Sequence, residues 1–248
     1  MKIGVAAYGM QVYEGALYDL DERLRQLKAI GYEGQKKCPA VSPSDALHNA
    51  GRFRRMGMDF ASCSGPNKQT TIEWTAALGK SYVWAYSPNK NFEIFCRHVN
   101  YQVANCRRWG ISSGLHNHMG TLVQTQEQVE AFLKNCPDCG LILDTAHLAV
   151  AGGDSLEIAK KYVNRLVAVH LKDYVITNPE IVGPDKWPER GHFCVLGKGS
   201  IGMDNAAVIK SLKADGYDGW VFVEQDVHLQ DPLKDLAESR EYLRKAGF

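Results

Sequence analysis

The chain has 248 residues, of which 45% are hydrophobic and 23% are charged, and its formal net charge is +1. This is an ordinary globular composition, and the length is typical of one (β/α)₈ barrel. The near-zero charge gives no electrostatic reason to expect nucleic acid or a membrane surface as a partner. The sequence holds no apolar run of about eighteen residues, so we expect no transmembrane helix.

Apolar periodicity predicts eight strands, each followed by a helical pattern. The strands are expected at Lys2–Tyr8, Tyr32–Lys37, Met58–Ser64, Ser81–Tyr86, Ile111–His116, Gly140–Leu143, Arg165–His170 and Gly219–Glu224. The helical patterns lie at about 17–30, 42–56, 72–78, 92–106, 125–135, 155–162, 203–215 and 232–245. Residues 148–154 are expected to form a loop of small residues, and residues 174–199 a long polar insertion.

This alternation predicts parallel strands joined by right-handed crossovers. Eight units in this length fit a closed α/β barrel better than an open sheet. An open dinucleotide-binding sheet is also disfavoured because no G-x-G-x-x-G motif follows the first strand. The sequence contains no linker or low-complexity tract, so residues 1–248 are expected to form a single domain.

The cysteines point to a reducing compartment. Their number is odd, they are scattered through apolar segments, and they are Cys38, Cys63, Cys96, Cys106, Cys136, Cys139 and Cys194. We therefore expect reduced thiols and a cytoplasmic location. Residues 1–8 lack the features of a signal peptide. Cys136 and Cys139 have the spacing of half a zinc knuckle, but no second such pair is present, which favours a simple turn.

Several predicted strands end in residues that can bind a metal ion. These strand-end residues are His116, Asp144, His170 and Glu224. In a parallel barrel the carboxyl ends of the strands share one face, so distant ligands converge there. A set of oxygen and nitrogen ligands without thiolate suits manganese, cobalt or magnesium, and also zinc or iron. We therefore expect one divalent cation at this face.

The strand-end motifs resemble those of the xylose-isomerase-like sugar phosphate isomerase/epimerase superfamily. They read Leu143-Asp144-Thr145-Ala146-His147-Leu148, His170-Leu171-Lys172-Asp173 and Val223-Glu224-Gln225-Asp226, with Gly216-Tyr217-Asp218-Gly219-Trp220 before the last strand. Two further segments, 116–121 and 148–154, resemble the inosose dehydratase branch most. The resemblance covers essentially the whole chain. It implies a TIM barrel, a divalent metal, and a polyhydroxylated ketone or aldehyde as substrate.

One departure from the family favours a lyase. Family members that epimerise sugars carry a glutamate where this chain has His116, and two metal-bound glutamates exchange a proton across the substrate. Here only Glu224 remains in that role. Elimination needs one base and one acid, so we expect a keto-cyclitol or keto-sugar, such as an inosose or a 3-keto-glycoside, to lose a β-oxygen. Glu224 is the leading base, and His147 or His116 is the acid.

Other polar residues near the strand ends are expected to serve the same site. Lys172 could neutralise an enolate oxygen, and Lys36 or His118 could replace Glu224 as the base. The expected contacts to substrate are His118, Asp226, Trp84, Arg190 and His192, and Tyr8, Trp187 and Phe193 could form apolar walls. The insertion 174–199 follows the seventh strand, so we expect it at the active face, as a lid or at the border of a partner subunit in a homo-oligomer.

Three alternatives stay open. The first is an isomerase or epimerase acting through an enediolate. The second is a nuclease like endonuclease IV, which shares this barrel but needs more metal ligands and a basic surface for DNA. The third is a sugar-binding barrel without catalytic activity.

Overall fold

The protein is seen in a computed structural model that describes residues 1–6 and 19–248, so Tyr8 and the expected helix start at Leu17 lie outside the described residues. The strands are β1 (Lys2–Val5), β2 (Gly34–Cys38), β3 (Asp59–Cys63), β4 (Tyr82–Ala85), β5 (Ser112–His116), β6 (Gly140–Asp144), β7 (Leu166–Leu171), β8 (Asp173–Ile176), β9 (Gly191–Cys194) and β10 (Trp220–Val223). The helices are α1 (Leu20–Ile30), α2 (Pro43–Arg55), α3 (Lys68–Ala77), α4 (Phe92–Arg108), α5 (Gln126–Asn135), α6 (Thr145–Val150), α7 (Ser155–Lys161), α8 (Trp187–Arg190), α9 (Asn205–Ala214) and α10 (Pro232–Lys245).

Eight of the strands form the predicted barrel. They pair in the order β3-β2-β1-β10-β7-β6-β5-β4, and every pair is parallel. The edge strands β3 and β4 lie side by side, which nearly closes the barrel. All eight carboxyl ends therefore lie on one face, where a barrel of this kind holds its polar site.

Side-chain caps set where several helices begin. The side chains of Asn67 and Thr125 each accept a hydrogen bond from the backbone N–H of the third helical residue, and their own backbone N–H groups donate to the side chain of that residue. Ser42 caps α2 in the same position, followed by Pro43 in the first turn. Within the described ranges, we find no helix with the length and apolar character needed to cross a membrane.

Large apolar side chains fill the barrel below the polar face. Trp220 and Phe222 stack with ring centroids 5.1 Å apart. Tyr82, Ile142 and Ala168 pack in the same buried cluster. This buried apolar cluster lies directly beneath the polar residues of the site and keeps water from reaching them through the barrel.

Two segments differ from the expectation of loops. Residues 148–150 of the loop expected at 148–154 belong to the helix α6, because the Asp144 side chain caps this helix by accepting a hydrogen bond from the His147 backbone N–H at 3.0 Å. The insertion 174–199 is not a plain loop, because β8 and β9 pair as an antiparallel hairpin with Tyr174 opposite Phe193. Between those strands lies the short helix α8.

The close packing of β2 gives a stability prediction. A Cβ atom on Gly34 would lie 2.1 Å from the Asp59 carbonyl oxygen and 2.7 Å from the Trp220 ring, so backbone or core must move. We expect Gly34→Ala to destabilise the fold by about 1–3 kcal/mol. Gly51 is the matched control, because its Cβ would lie 3.6 Å from the nearest atom, the end of Arg55, within α2.

Gly51→Ala should instead stabilise the protein by about 0.5–1 kcal/mol, as alanine does in helix interiors. Urea unfolding of the two variants and the parent protein measures both effects. A Gly34→Ala variant as stable as the parent would contradict the packing argument.

Candidate active site

Four metal-binding side chains meet at the carboxyl ends of neighbouring strands. They are His116 at the end of β5, Asp144 at the end of β6, His170 near the end of β7 and Glu224 directly after β10. Each offers one ligand atom, and these atoms all lie within 4.8 Å of one another. This cluster, which we call the ligand group, could hold a metal ion, as the strand-end pattern suggested.

The contacts inside the ligand group leave buried polar atoms without a hydrogen bond. His116 Nε2 lies 3.1 Å from Asp144 Oδ2. His170 Nδ1 contacts Glu224 Oε2, but this contact lacks the geometry of a hydrogen bond, and the other ring nitrogen of His170 is also unpartnered. Buried groups of this kind are costly unless a partner satisfies them. A divalent cation would take one ring nitrogen of His170 and a carboxylate oxygen of Glu224, so the ligand group fits a metal site.

A buried lysine balances the negative charge around the ligand group. Lys172 is 1% exposed, and its Nζ lies 3.2 Å from Asp144 Oδ2, 3.8 Å from Glu224 Oε2 and 2.9 Å from Asp226 Oδ2. Burial alone would lower the pKa of Lys172, but the three carboxylates raise it above its usual value. Lys172 is therefore a permanent cation.

The surrounding charges keep the carboxylates ionised, and burial keeps the imidazoles neutral. Burial disfavours ionised Glu224 and Asp144, but Lys172 and the neighbouring charged or hydrogen-bonded groups hold both pKa values well below their usual range. Burial lowers the pKa of His170, and it lowers that of His116 to about 3. Neutral imidazole and ionised carboxylate are the protonation states that bind metal ions.

Next to the ligand group, the rings of His118 and His147 are in contact, with centroids 3.7 Å apart and an angle of 37° between their planes. His118 Nδ1 lies 2.6 Å from the Met119 carbonyl oxygen. A carbonyl can only accept, so Nδ1 carries the proton and Nε2 of His118 keeps its lone pair. His147 Nε2 lies 3.1 Å from Lys172 Nζ and 3.6 Å from Asp226 Oδ2.

A cavity of about 470 Å³ opens over these residues. Its lining consists of Lys36, Lys37, Trp84, His116, His118, Lys172, Trp187, Glu224, Asp226 and Val227. Trp84 stacks on the His116 ring with centroids 4.6 Å apart, so it forms a flat wall beside the ligand group. His147 does not line the cavity but lies buried behind His118, with Phe193 against its other side at 5.1 Å.

The insertion contributes to this cavity through some residues and not through others. Its hairpin is anchored by Asp173, which accepts hydrogen bonds from the backbone N–H groups of Tyr174 at 2.9 Å and Gly197 at 2.8 Å. Trp187 reaches the cavity wall. Arg190 and His192, which we expected to contact substrate, are not among the described residues that line the cavity.

Two residues of the site were not assigned from the sequence. Asn117 receives the Asp144 backbone N–H at 2.8 Å and donates to the Asp144 carbonyl at 3.0 Å, which ties the ends of β5 and β6 together. In the sequence, Asn117 lies between two histidines of the strand-end motif, and this position could have indicated that it belongs to the site. Lys37 lines the cavity beside Lys36, although strand alternation would turn it away from the barrel interior.

Comparison with curated proteins finds relatives named inosose dehydratase. The Clostridium perfringens strain 13 protein is 36% identical over 156 residues, which cover 59% of this chain and 52% of that protein. The Geobacillus thermodenitrificans protein is 34% identical over 145 residues, which cover 55% and 48%. The chain thus spans about half the length of the curated relatives it matches.

Solved structures share the fold at low sequence identity. A probable 3-DHS dehydratase from Bacillus anthracis has a TM-score of 0.73 at 13% identity, covering 98% of this chain and 99% of that chain. A Mycobacterium smegmatis barrel protein in complex with magnesium has a TM-score of 0.67 at 17% identity, covering 91% and 87%. The family model of the xylose isomerase-like TIM barrel matches residues 64–246, and the chain belongs to that family.

Proposed function

We propose that the protein is a divalent-metal-dependent lyase that removes a proton next to the carbonyl of a keto-cyclitol or keto-sugar and expels a β-oxygen. The observation that supports the proposal is a group of four side chains that could hold a metal ion. Two of them, His116 and Glu224, line one cavity together with His118, whose Nε2 has a free lone pair. The curated relatives named inosose dehydratase support the same type of reaction.

The ligand group supplies the metal site of this proposal. His116, Asp144, His170 and Glu224 would hold one cation, and their nitrogen and oxygen atoms suit manganese, cobalt, magnesium, zinc or iron. When bound, the cation stabilises the negative charge that develops on the carbonyl oxygen as the neighbouring proton leaves. Lys172 adds a fixed positive charge on the same side, and its raised pKa keeps it from acting as a base.

His118 fits the role of general base better than Glu224. The low pKa of Glu224 means that this carboxylate holds a proton weakly, and its place in the ligand group commits its lone pairs. His118 lines the cavity, and its Nδ1–H is fixed on the Met119 carbonyl, so Nε2 is free to accept the proton. Burial, and then the nearby His147, lower the pKa of His118 and keep it neutral at pH 7.

The same residue can complete the elimination. After His118 takes the α-proton, the C–H electrons form the new double bond and the β C–O bond breaks. The imidazolium of His118 then returns the proton to the leaving oxygen, which departs as water or an alcohol. His147, expected from the sequence as the acid, is not part of the cavity lining, and its ring contacts the ring of His118.

The metal site is tested by removing one ligand at a time. Asp144→Asn and His170→Ala should each bind the cation more than about tenfold more weakly than the parent protein, because each removes one of four ligands. His192→Ala is the control, since this histidine lies outside the cavity lining. Elemental analysis after purification with added manganese measures the bound metal. Stoichiometric metal in both folded ligand variants would rule out this site.

The base is tested with His118→Gln. We expect this variant to keep its bound metal and to lose turnover by a factor of about 10² to 10⁴, the usual contribution of a general base. His48→Gln on the exposed face of α2 is the matched control and should turn over normally. The assay follows formation of an absorbing enone from a panel of keto-cyclitols and keto-sugars.

The reaction type is decided by running the same panel in deuterium oxide. Elimination predicts a dehydrated product whose formation depends on His118. Deuterium at the α-carbon of recovered or epimerised sugar, without any dehydrated product, would instead identify an epimerase. Full turnover by His118→Gln would show that another group is the base.

A further inference from the structure

Two adjacent lysines meet at the mouth of the cavity. Lys36 Nζ lies 4.6 Å from the centroid of the Trp84 ring, and Lys37 Nζ lies 5.2 Å from it. Both side chains line the cavity. The charge of Lys36 disfavours the ammonium form of Lys37, and repulsion between like charges grows as water is excluded. The arrangement is therefore favourable only when negative charge is nearby.

The two lysines differ in the negative charge that they already have. Lys36 Nζ lies 3.6 Å from Glu224 Oε1, inside the cavity. Lys37 has no carboxylate within 4.0 Å among the residues that the structure describes. Its side chain reaches solvent, but the crowded cavity mouth removes part of the water around the ammonium. This desolvation, together with the charge of Lys36, lowers the pKa of Lys37, and the more distant carboxylate of Glu224 offsets the effect only in part.

The formal charges in the cavity would be balanced by one further negative charge besides that of the reacting oxygen. Among the residues that the structure describes, the charged groups in and around the cavity are the ammoniums of Lys36, Lys37 and Lys172 and the carboxylates of Asp144, Glu224 and Asp226. These ammoniums and carboxylates cancel, and metal-binding histidines are neutral. A divalent cation would therefore leave two positive charges. Enolate formation in the substrate supplies one negative charge, and a second is needed for neutrality.

We propose that Lys37, with Lys36 beside it, forms a subsite for a carboxylate of the substrate, so that the protein acts on acidic keto-sugars or keto-cyclitols rather than on neutral ones. This inference rests on the proposed function in one respect, because it takes the acid that binds at Lys37 to be the substrate. A carboxylate carries the single charge that the balance requires, whereas a phosphate monoester carries about two at neutral pH. Lysine ammoniums suit such an anion as compact donors.

The subsite is tested by binding of two unreactive probes that differ in charge. D-Gluconate and D-glucitol have the same number of carbons, but only gluconate carries a carboxylate. Calorimetry on the metal-loaded full chain should show gluconate binding about tenfold more tightly than glucitol, the effect of one charge-assisted hydrogen bond. Lys37→Met should lose this preference, and Lys37→Arg should keep it. Lys134→Met, an exposed lysine on α5, is the matched control and should keep it too.

Three binding results would contradict the carboxylate subsite. Equal affinities for the two probes in the parent protein would overturn the proposal. So would a gluconate preference that survives in Lys37→Met, because gluconate would then bind through the metal alone. Tighter binding of D-glucitol 6-phosphate than of gluconate would overturn the assignment to a carboxylate.

Turnover distinguishes failure of this proposal from failure of the proposed function. Keto acids and the corresponding neutral keto-sugars are offered in the same assay. If neutral ketones are dehydrated and the keto acids react no faster, the subsite proposal is overturned but the lyase function still stands. A Lys37-dependent preference for gluconate, with no ketone dehydrated, would support the subsite and contradict the lyase function.

Discussion

The buried ammonium of Lys172 is the group on which the rest of the site depends. A lysine that is 1% exposed is several kcal/mol unfavourable unless carboxylates surround it. Asp144 and Asp226 lie within 3.2 Å of its Nζ, and they come from the ends of β6 and β10. These ion pairs therefore fix two strand ends relative to β7. They also hold the carboxylates ionised in a cavity where burial alone would favour their protonated forms.

The fold and the family resemblance were predictable from the sequence, because both are encoded locally. Apolar periodicity marks each strand and helix, and α10 begins and ends where its pattern does, at Pro232 and Lys245. The barrel and the family are confirmed. The convergence of His116, Asp144, His170 and Glu224 follows from topology, since parallel strands of one barrel end on one face. The metal-binding role of these four residues stays a prediction.

Other features depend on contacts between distant segments, and the sequence pattern could not show them. The free lone pair of His118 depends on where the Met119 carbonyl lies, and the helix α6 depends on the Asp144 cap. Within the hairpin, strand alternation decides which residues reach the site. Phe193 packs against His147, so its neighbour His192 belongs to the opposite face of β9. The polar character of the insertion could not distinguish these two faces.

The position of Lys172 also bears on how many cations the site can hold. His118, His147 and Asp226 form a second group whose ligand atoms lie within 4.8 Å of one another. Lys172 Nζ is already 3.1 Å from His147 Nε2 and 2.9 Å from Asp226 Oδ2. An ammonium at this place fills the position that a second cation would take and repels any ion that approaches. The proposed single cation therefore belongs to the ligand group, and the proposal leaves His118 without a bound metal, as the role of general base requires.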